Sequence, residues 1–221
     1  MGRVLGVLGG MGPAATTAFM ARVQALTPAA RDEDHIRLLV DVNPRVPNRH
    51  AEPEAAGRTL VGMAARLRDM GAEVLGMPCN TAHAHVAAIR AASGLPFIDM
   101  VAETADAAAT GGARRIGVLA TPGGEALYVA ALAARGLEMV RLEGADREAV
   151  MSAIFAVKAG DAGAGPKAEM ARLAAALVAA GAEAVIAGCT EVPLLIGAAD
   201  VAVPLIDSAE ALAAACVREC A

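Results

Sequence analysis

Short apolar runs alternate along the chain with Ala-rich stretches whose apolar positions recur at helical spacing, which predicts βα units and a parallel sheet. The first run predicts a strand over Arg3 to Leu8, then a tight loop over Gly9 to Gly12 and a helix from Ala14 to Leu26. Pro13 suits the first turn of that helix, where a missing N–H costs nothing. A second strand over His35 to Val42 ends in a loop from Asn43 to His50 that holds Pro44 and Pro47. A helix near Ala55 to Met70 precedes a strand over Val74 to Met77, and a further helix follows Cys79. The plan then repeats: strand Arg115 to Leu119, helix Glu125 to Arg135, strand Leu137 to Leu142, helix Glu169 to Ala180, strand Ala184 to Ala187 and a closing helix Asp207 to Cys220. Asp161 to Pro166 reads as a flexible linker inside the second half.

The repetition extends to residues. Gly71-Ala72-Glu73-Val74-Leu75 leads to Pro78-Cys79-Asn80-Thr81, and Gly181-Ala182-Glu183-Ala184-Val185 leads to Gly188-Cys189-Thr190-Glu191. Gly6-Val7-Leu8 recurs as Gly117-Val118-Leu119, and Leu95-Pro96-Phe97-Ile98-Asp99 as Val203-Pro204-Leu205-Ile206-Asp207. The expected architecture is α/β, with two pseudo-symmetric domains that are each a parallel sheet flanked by helices. Residues 1–100 would form the first, joined by the closing helix over 207–221, and residues 101–206 the second. One thiol per half suggests an active site in the cleft between them, the two thiols facing each other across a substrate.

Composition narrows the field. Of 221 residues 56% are hydrophobic but only 2% aromatic, with no Trp and one Tyr, so the core is built from Ala, Val, Leu and Ile. The aromatic platforms of single-stranded nucleic-acid binders are missing, and a net charge of −5 gives no basic footprint for nucleic acid. Without an export signal or a membrane span, the expectation is a cytoplasmic protein acting on small molecules with its four cysteines reduced. The cysteines lack CxxC spacing. Cys79 and His83 could pair on a metal, but no third or fourth ligand has suitable spacing, so no metal is expected.

Cys79 and Cys189 each follow a predicted strand and precede a predicted helix. Strand carboxyl ends form the ligand crevice of open parallel sheets, and a helix N-terminus favours a thiolate. Cys216 and Cys220 share one face of the last helix and read as packing or surface residues. The loop Gly9-Gly10-Met11-Gly12 offers backbone N–H groups to an anion. It formally contains a Gly-x-Gly-x-x-Ala fingerprint, but the acidic partner of a dinucleotide site is poorly placed, so a carboxylate is the favoured ligand. Arg49 could grip a carboxylate bidentately. Lys158 can equally be a charge at a helix C-terminus, and His83 a hydrogen-bonding helper.

These residues resemble the cofactor-independent aspartate/glutamate racemase superfamily, and within it the aspartate racemase branch. The resemblance rests on Gly6 to Thr16, Asp34-His35-Ile36, Asn43 to Arg49, Cys79-Asn80-Thr81-Ala82-His83 and Gly188 to Leu195. It implies racemisation of an amino acid, aspartate above all, without pyridoxal phosphate or another cofactor. Cys79 and Cys189 would exchange the roles of base and acid. Met11, Gly12, Asn43 and Arg49 would bind the substrate carboxylate, and Asn80, Thr81 and Thr190 would supply donors. Lys158 would meet the side-chain carboxylate, with Thr121 and Glu191 completing the substrate contacts. A homodimer is usual in the family. Hydantoin racemase or maleate isomerase chemistry on the same thiol pair stays open, as does a nucleotide- or small-ligand-binding module.

Overall fold

A strand whose two faces are both covered must be apolar throughout, and β1 (Leu5–Gly9, LGVLG) is buried at every position. The computed structural model describes residues 2–221. In chain order β1 is followed by α1 (Pro13–Leu26), β2 (Leu38–Val42), α2 (Pro53–Asp69), β3 (Val74–Gly76), α3 (Val86–Ser93) and α4 (Met100–Thr110). Then come β4 (Arg115–Leu119), α5 (Pro122–Ala133), β5 (Glu138–Val140), α6 (Gly144–Lys158), α7 (Ala164–Ala179), β6 (Ala184–Ala187), β7 (Leu205–Asp207) and α8 (Ser208–Cys220).

The chain divides into two compact units, one comprising residues up to Met100 together with Ala209–Ala221, the other Val101–Ser208. In the first, a parallel sheet of order β2-β1-β3 is packed on one side by the helix α8 through Leu212, Ala213 and Cys216, which join Leu5, Val7 and Phe19 in one buried cluster. α2 and α3 supply a second cluster around Leu8, Leu60 and Ile89. In the second unit the parallel order is β5-β4-β6-β7. α6 and α7 cover one face with Ile154, Leu173 and Leu177, while α4 and α5 contribute Ala105, Tyr128 and Leu132 to the other cluster.

The two sheets share one topology down to register. Leu75 in β3 makes an isolated parallel bridge to Phe97, and the corresponding pair in the second sheet is Val185 with Leu205. The repeat seen in the sequence is therefore a repeat of strand pairing.

Three local expectations change. α7 begins at Ala164, so the second half of the proposed linker Asp161 to Pro166 is helical. Pro166 lies in the first turn, where backbone N–H groups have no intrahelical partner to lose. The strand expected over His35 to Val42 shortens to β2, because Asp32–Asp34 forms a 3-10 turn closed by Asp34 accepting from the Ala30 and Arg31 N–H groups. No α-helix starts directly after either candidate cysteine: 3-10 turns at Thr81–His85 and Val192–Leu194 intervene.

Candidate active site

In the first unit the predicted residues gather at the carboxyl ends of adjacent strands, the ligand end of a parallel sheet. β1 runs into Gly10-Met11-Gly12, β2 into Asn43, and β3 towards Cys79. Gly10 has φ +95°, and a Cβ there would strike the Asn43 backbone. Only glycine lets the two loops lie this close. Thr16 braces the loop from α1: its Oγ1 accepts from the Gly10 N–H at 2.9 Å and donates to the Gly12 carbonyl at 3.0 Å. Asn43 turns the chain by accepting from the Arg45 N–H at 3.0 Å. Arg49 donates through Nη1 to the Val46 and Pro47 carbonyls at 3.4 and 3.3 Å. Its Nε is buried with no hydrogen-bond partner. A buried unsatisfied donor is costly, and a carboxylate oxygen is the acceptor a guanidinium fits best.

Cys79 is buried, in one cluster with Met11, Val46 and Met77. Its carbonyl is held by His83. The Met100 N–H donates to His83 Nε2 at 3.0 Å, which places the ring proton on Nδ1, and Nδ1–H donates to the Cys79 carbonyl at 2.9 Å. Burial pushes the imidazole below its ordinary range, so the ring stays neutral. His83 thus pins the Cys79 turn to the start of α4. Asn80 is buried beside it, and Thr81 opens the 3-10 turn.

In the second unit Cys189 follows β6 and is 8% exposed. Its Sγ donates to Glu191 Oε2 at 3.0 Å, the Thr190 hydroxyl donates to the same oxygen at 3.3 Å, and Lys158 Nζ donates to Oε1 at 2.6 Å. Glu191 is only 2% exposed, so the ammonium from the last turn of α6 supplies the charge compensation that a buried carboxylate requires. Thr121 caps α5, accepting from the Gly124 N–H at 3.2 Å.

The expectation that a helix N-terminus lowers the thiol pKa does not hold at Cys189. Burial pushes this thiol well above its usual range, the Glu191 carboxylate adds to the rise, and Lys158 only partly opposes it. With a three-residue 3-10 turn following, there is no α-helix dipole to offset desolvation. At rest Cys189 is a thiol.

Each half therefore assembles its own share: Met11, Gly12, Asn43, Arg49, Cys79, Asn80 and Thr81 in the first, Thr121, Lys158, Cys189, Thr190 and Glu191 in the second. Cys216 and Cys220 are buried in the α8 core, away from these strand ends in role. Two contributors were given no role from the sequence. Thr16 was visible only as part of the glycine-loop motif. Arg147 donates through Nε and Nη2 to the buried Glu125 carboxylate at 2.9 and 2.6 Å and ties α6 to α5. Among the described residues no group of three or more His, Cys, Asp or Glu could hold a metal ion, and no helix is long and apolar enough to cross a membrane.

The fold and the sequence are similar to those of known racemases. The chain is 28% identical to the aspartate racemase of Picrophilus torridus, with a TM-score of 0.84 over 98% of this chain and 94% of that one. An aspartate racemase homologue from Pyrococcus horikoshii OT3 matches in fold, with a TM-score of 0.81, 23% identity and 98% of each chain covered. The broad specificity amino-acid racemase RacX of Bacillus subtilis is 30% identical over 107 residues, a match spanning 46% of this chain and about half (47%) of RacX. The profile of the Asp/Glu/Hydantoin racemase family matches residues 8–216. By that match, nearly end to end, the chain belongs to the Asp/Glu/Hydantoin racemase family.

Proposed function

We propose that the protein is a cofactor-independent amino-acid racemase that interconverts L- and D-aspartate by proton transfer between Cys79 and Cys189. The observation that carries this reading is a buried thiol at the same strand end of both halves of a duplicated fold. Racemisation needs a base on one face of Cα and an acid on the other, and one thiol in the equivalent place of each half supports that reading. The Cα proton of an amino acid is very weakly acidic, so the developing charge on the α-carboxylate must be met by positioned donors in a water-poor site. Arg49, with a buried Nε lacking a partner, supports the binding of one carboxylate, and the Gly10-Met11-Gly12 loop supports it with backbone N–H groups. Asn80, Thr81, Thr121 and Thr190 would supply further donors. Lys158 is already paired with Glu191 at 2.6 Å, so it would meet a second substrate carboxylate only by sharing its ammonium with that pair.

A second reading, an amino-acid racemase of broad specificity, is favoured by the similarity to RacX. Incubating the protein in heavy water with L- and D-aspartate, glutamate and neutral amino acids, without added cofactor, separates the two. The aspartate reading requires Cα deuteration and loss of optical purity from both aspartate enantiomers at rates well above the other amino acids. Equal rates across the panel would replace it with the broad reading, and activity only on a hydantoin or on maleate would replace both. The working assembly proposed is a homodimer, on the strength of the family resemblance. The setting proposed is the cytoplasm, where the four free thiols stay reduced.

A further inference from the structure

Glu191 stands between a thiol and an ammonium. Its two carboxylate oxygens face in different chemical directions: Oε2 takes the Cys189 thiol at 3.0 Å and Oε1 takes the Lys158 ammonium at 2.6 Å. Neither oxygen is left to water, since the residue is 2% exposed. Resting on the racemase reading, we infer that Glu191 is the proton acceptor that converts Cys189 from thiol to thiolate, with Lys158 holding the charge of the pair in both states.

The step conserves charge. At rest the group is a thiol, a carboxylate and an ammonium. The Sγ–H bond breaks, an Oε2–H bond forms, the electron pair stays on sulfur, and the group becomes a thiolate, a carboxylic acid and an ammonium. No charge is added to the buried site; one negative charge moves by a single hydrogen bond. The thiolate then takes the Cα proton and is a thiol again, while the other thiol gives its proton to the opposite face. The proton held by Glu191 returns through solvent to that second thiolate once product has left. The charged groups acting on Cys189 from its own unit are Glu191 on its own loop and Lys158 on α6. At the equivalent position of the first half, two residues after Cys79, stands Thr81, whose hydroxyl cannot hold a proton from a thiol at neutral pH.

The test compares wild type, Glu191→Gln and Lys158→Gln in two assays. One is racemisation. The other is alkylation by iodoacetamide across the pH range, read separately at Cys79 and Cys189 by peptide mass spectrometry, with Cys79 as the internal reference. The glutamine at 191 still accepts the thiol hydrogen bond but takes no proton. Racemisation is therefore expected to fall by roughly 100-fold or more, while the alkylation midpoint of Cys189 moves down by about one pH unit or more, because a negative neighbour is gone. Lys158→Gln is expected to move the same midpoint up. The pH profile separates proton acceptance from simple electrostatics: in Glu191→Gln the lost racemisation should be recovered as pH rises to the Cys189 alkylation midpoint, where thiolate forms without an acceptor, whereas a loss that pH does not recover overturns the inference. Racemisation within about threefold of wild type in Glu191→Gln, or a Cys189 midpoint that does not fall, overturns the inference. Should that variant not fold, an unchanged or lowered midpoint in Lys158→Gln overturns it alone. The alkylation assay needs no substrate, so a wild-type protein that racemises nothing indicts the racemase reading and leaves the Glu191 inference to be judged on the midpoints.

Discussion

Lys158 Nζ lies 2.6 Å from Glu191 Oε1, and this contact fastens the last turn of α6 to the loop that carries Cys189. The carboxylate is buried and the lysine side chain about a quarter exposed, at 26%. Such a pair adds little net stability, but losing one partner leaves a buried charge alone. Lys158→Met is expected to cost about 2 kcal/mol, discounted from the fully buried case because solvent can reach the site. Adding Glu191→Gln to it should recover part of that loss. Urea unfolding of the two singles and the double completes the cycle, and strictly additive losses would show that the pair is not coupled.

His83 is a neutral ring with both nitrogens committed, one to the Met100 N–H and one to the Cys79 carbonyl. Its folded pKa lies below its unfolded value of about 6.5. Between those two values the unfolded chain binds a proton that the folded chain does not, so stability increases with pH through that window. The contribution is fully present above the unfolded value and lost as pH falls towards the folded one. His83→Ala should lower stability at neutral pH by about 2–3 kcal/mol, the cost of stranding two buried backbone groups. It should also flatten the acid limb of the stability curve. Denaturant melts at several pH values would show both.

Arg49 keeps a buried Nε without a partner, so the free protein bears a cost that a bound carboxylate would relieve. Arg49→Met should therefore leave the unfolding free energy unchanged or slightly higher, while KM rises roughly 10- to 100-fold, as expected for loss of a charged hydrogen bond of about 1.5–3 kcal/mol. Steady-state kinetics beside thermal melts test the pairing. A fall in stability with KM unchanged would make Arg49 a structural residue of the Asn43 to His50 loop.

Much of the fold is written in the repeat. The matched segments around Leu75 and Val185, and around Phe97 and Leu205, became equivalent parallel pairs in the two sheets. Local chemistry was harder to foresee where one residue type serves two purposes. Gly163, Gly165 and Pro166 are breakers in a helix interior but harmless at a helix start, which hid the beginning of α7. The Cys-Thr-Glu run placed Glu191 near the site. Its use was hidden, because whether it faces substrate or its neighbour two residues back depends on a tight 3-10 turn and on Lys158, 33 residues earlier in the chain. The thiol pKa failed for the same reason: a helix dipole was expected where burial and a carboxylate dominate.

Enantiomer-resolved Cα exchange in heavy water, run on Cys79→Ala and Cys189→Ala, tests the two-thiol mechanism most directly. With one thiol left, a proton can be taken from and returned to only one face of Cα. Each variant should lose racemisation by roughly 1000-fold or more yet still exchange the Cα proton of one enantiomer, and the two variants should choose opposite enantiomers. Wild-type racemisation in both variants, or exchange of the same enantiomer by both, would contradict it.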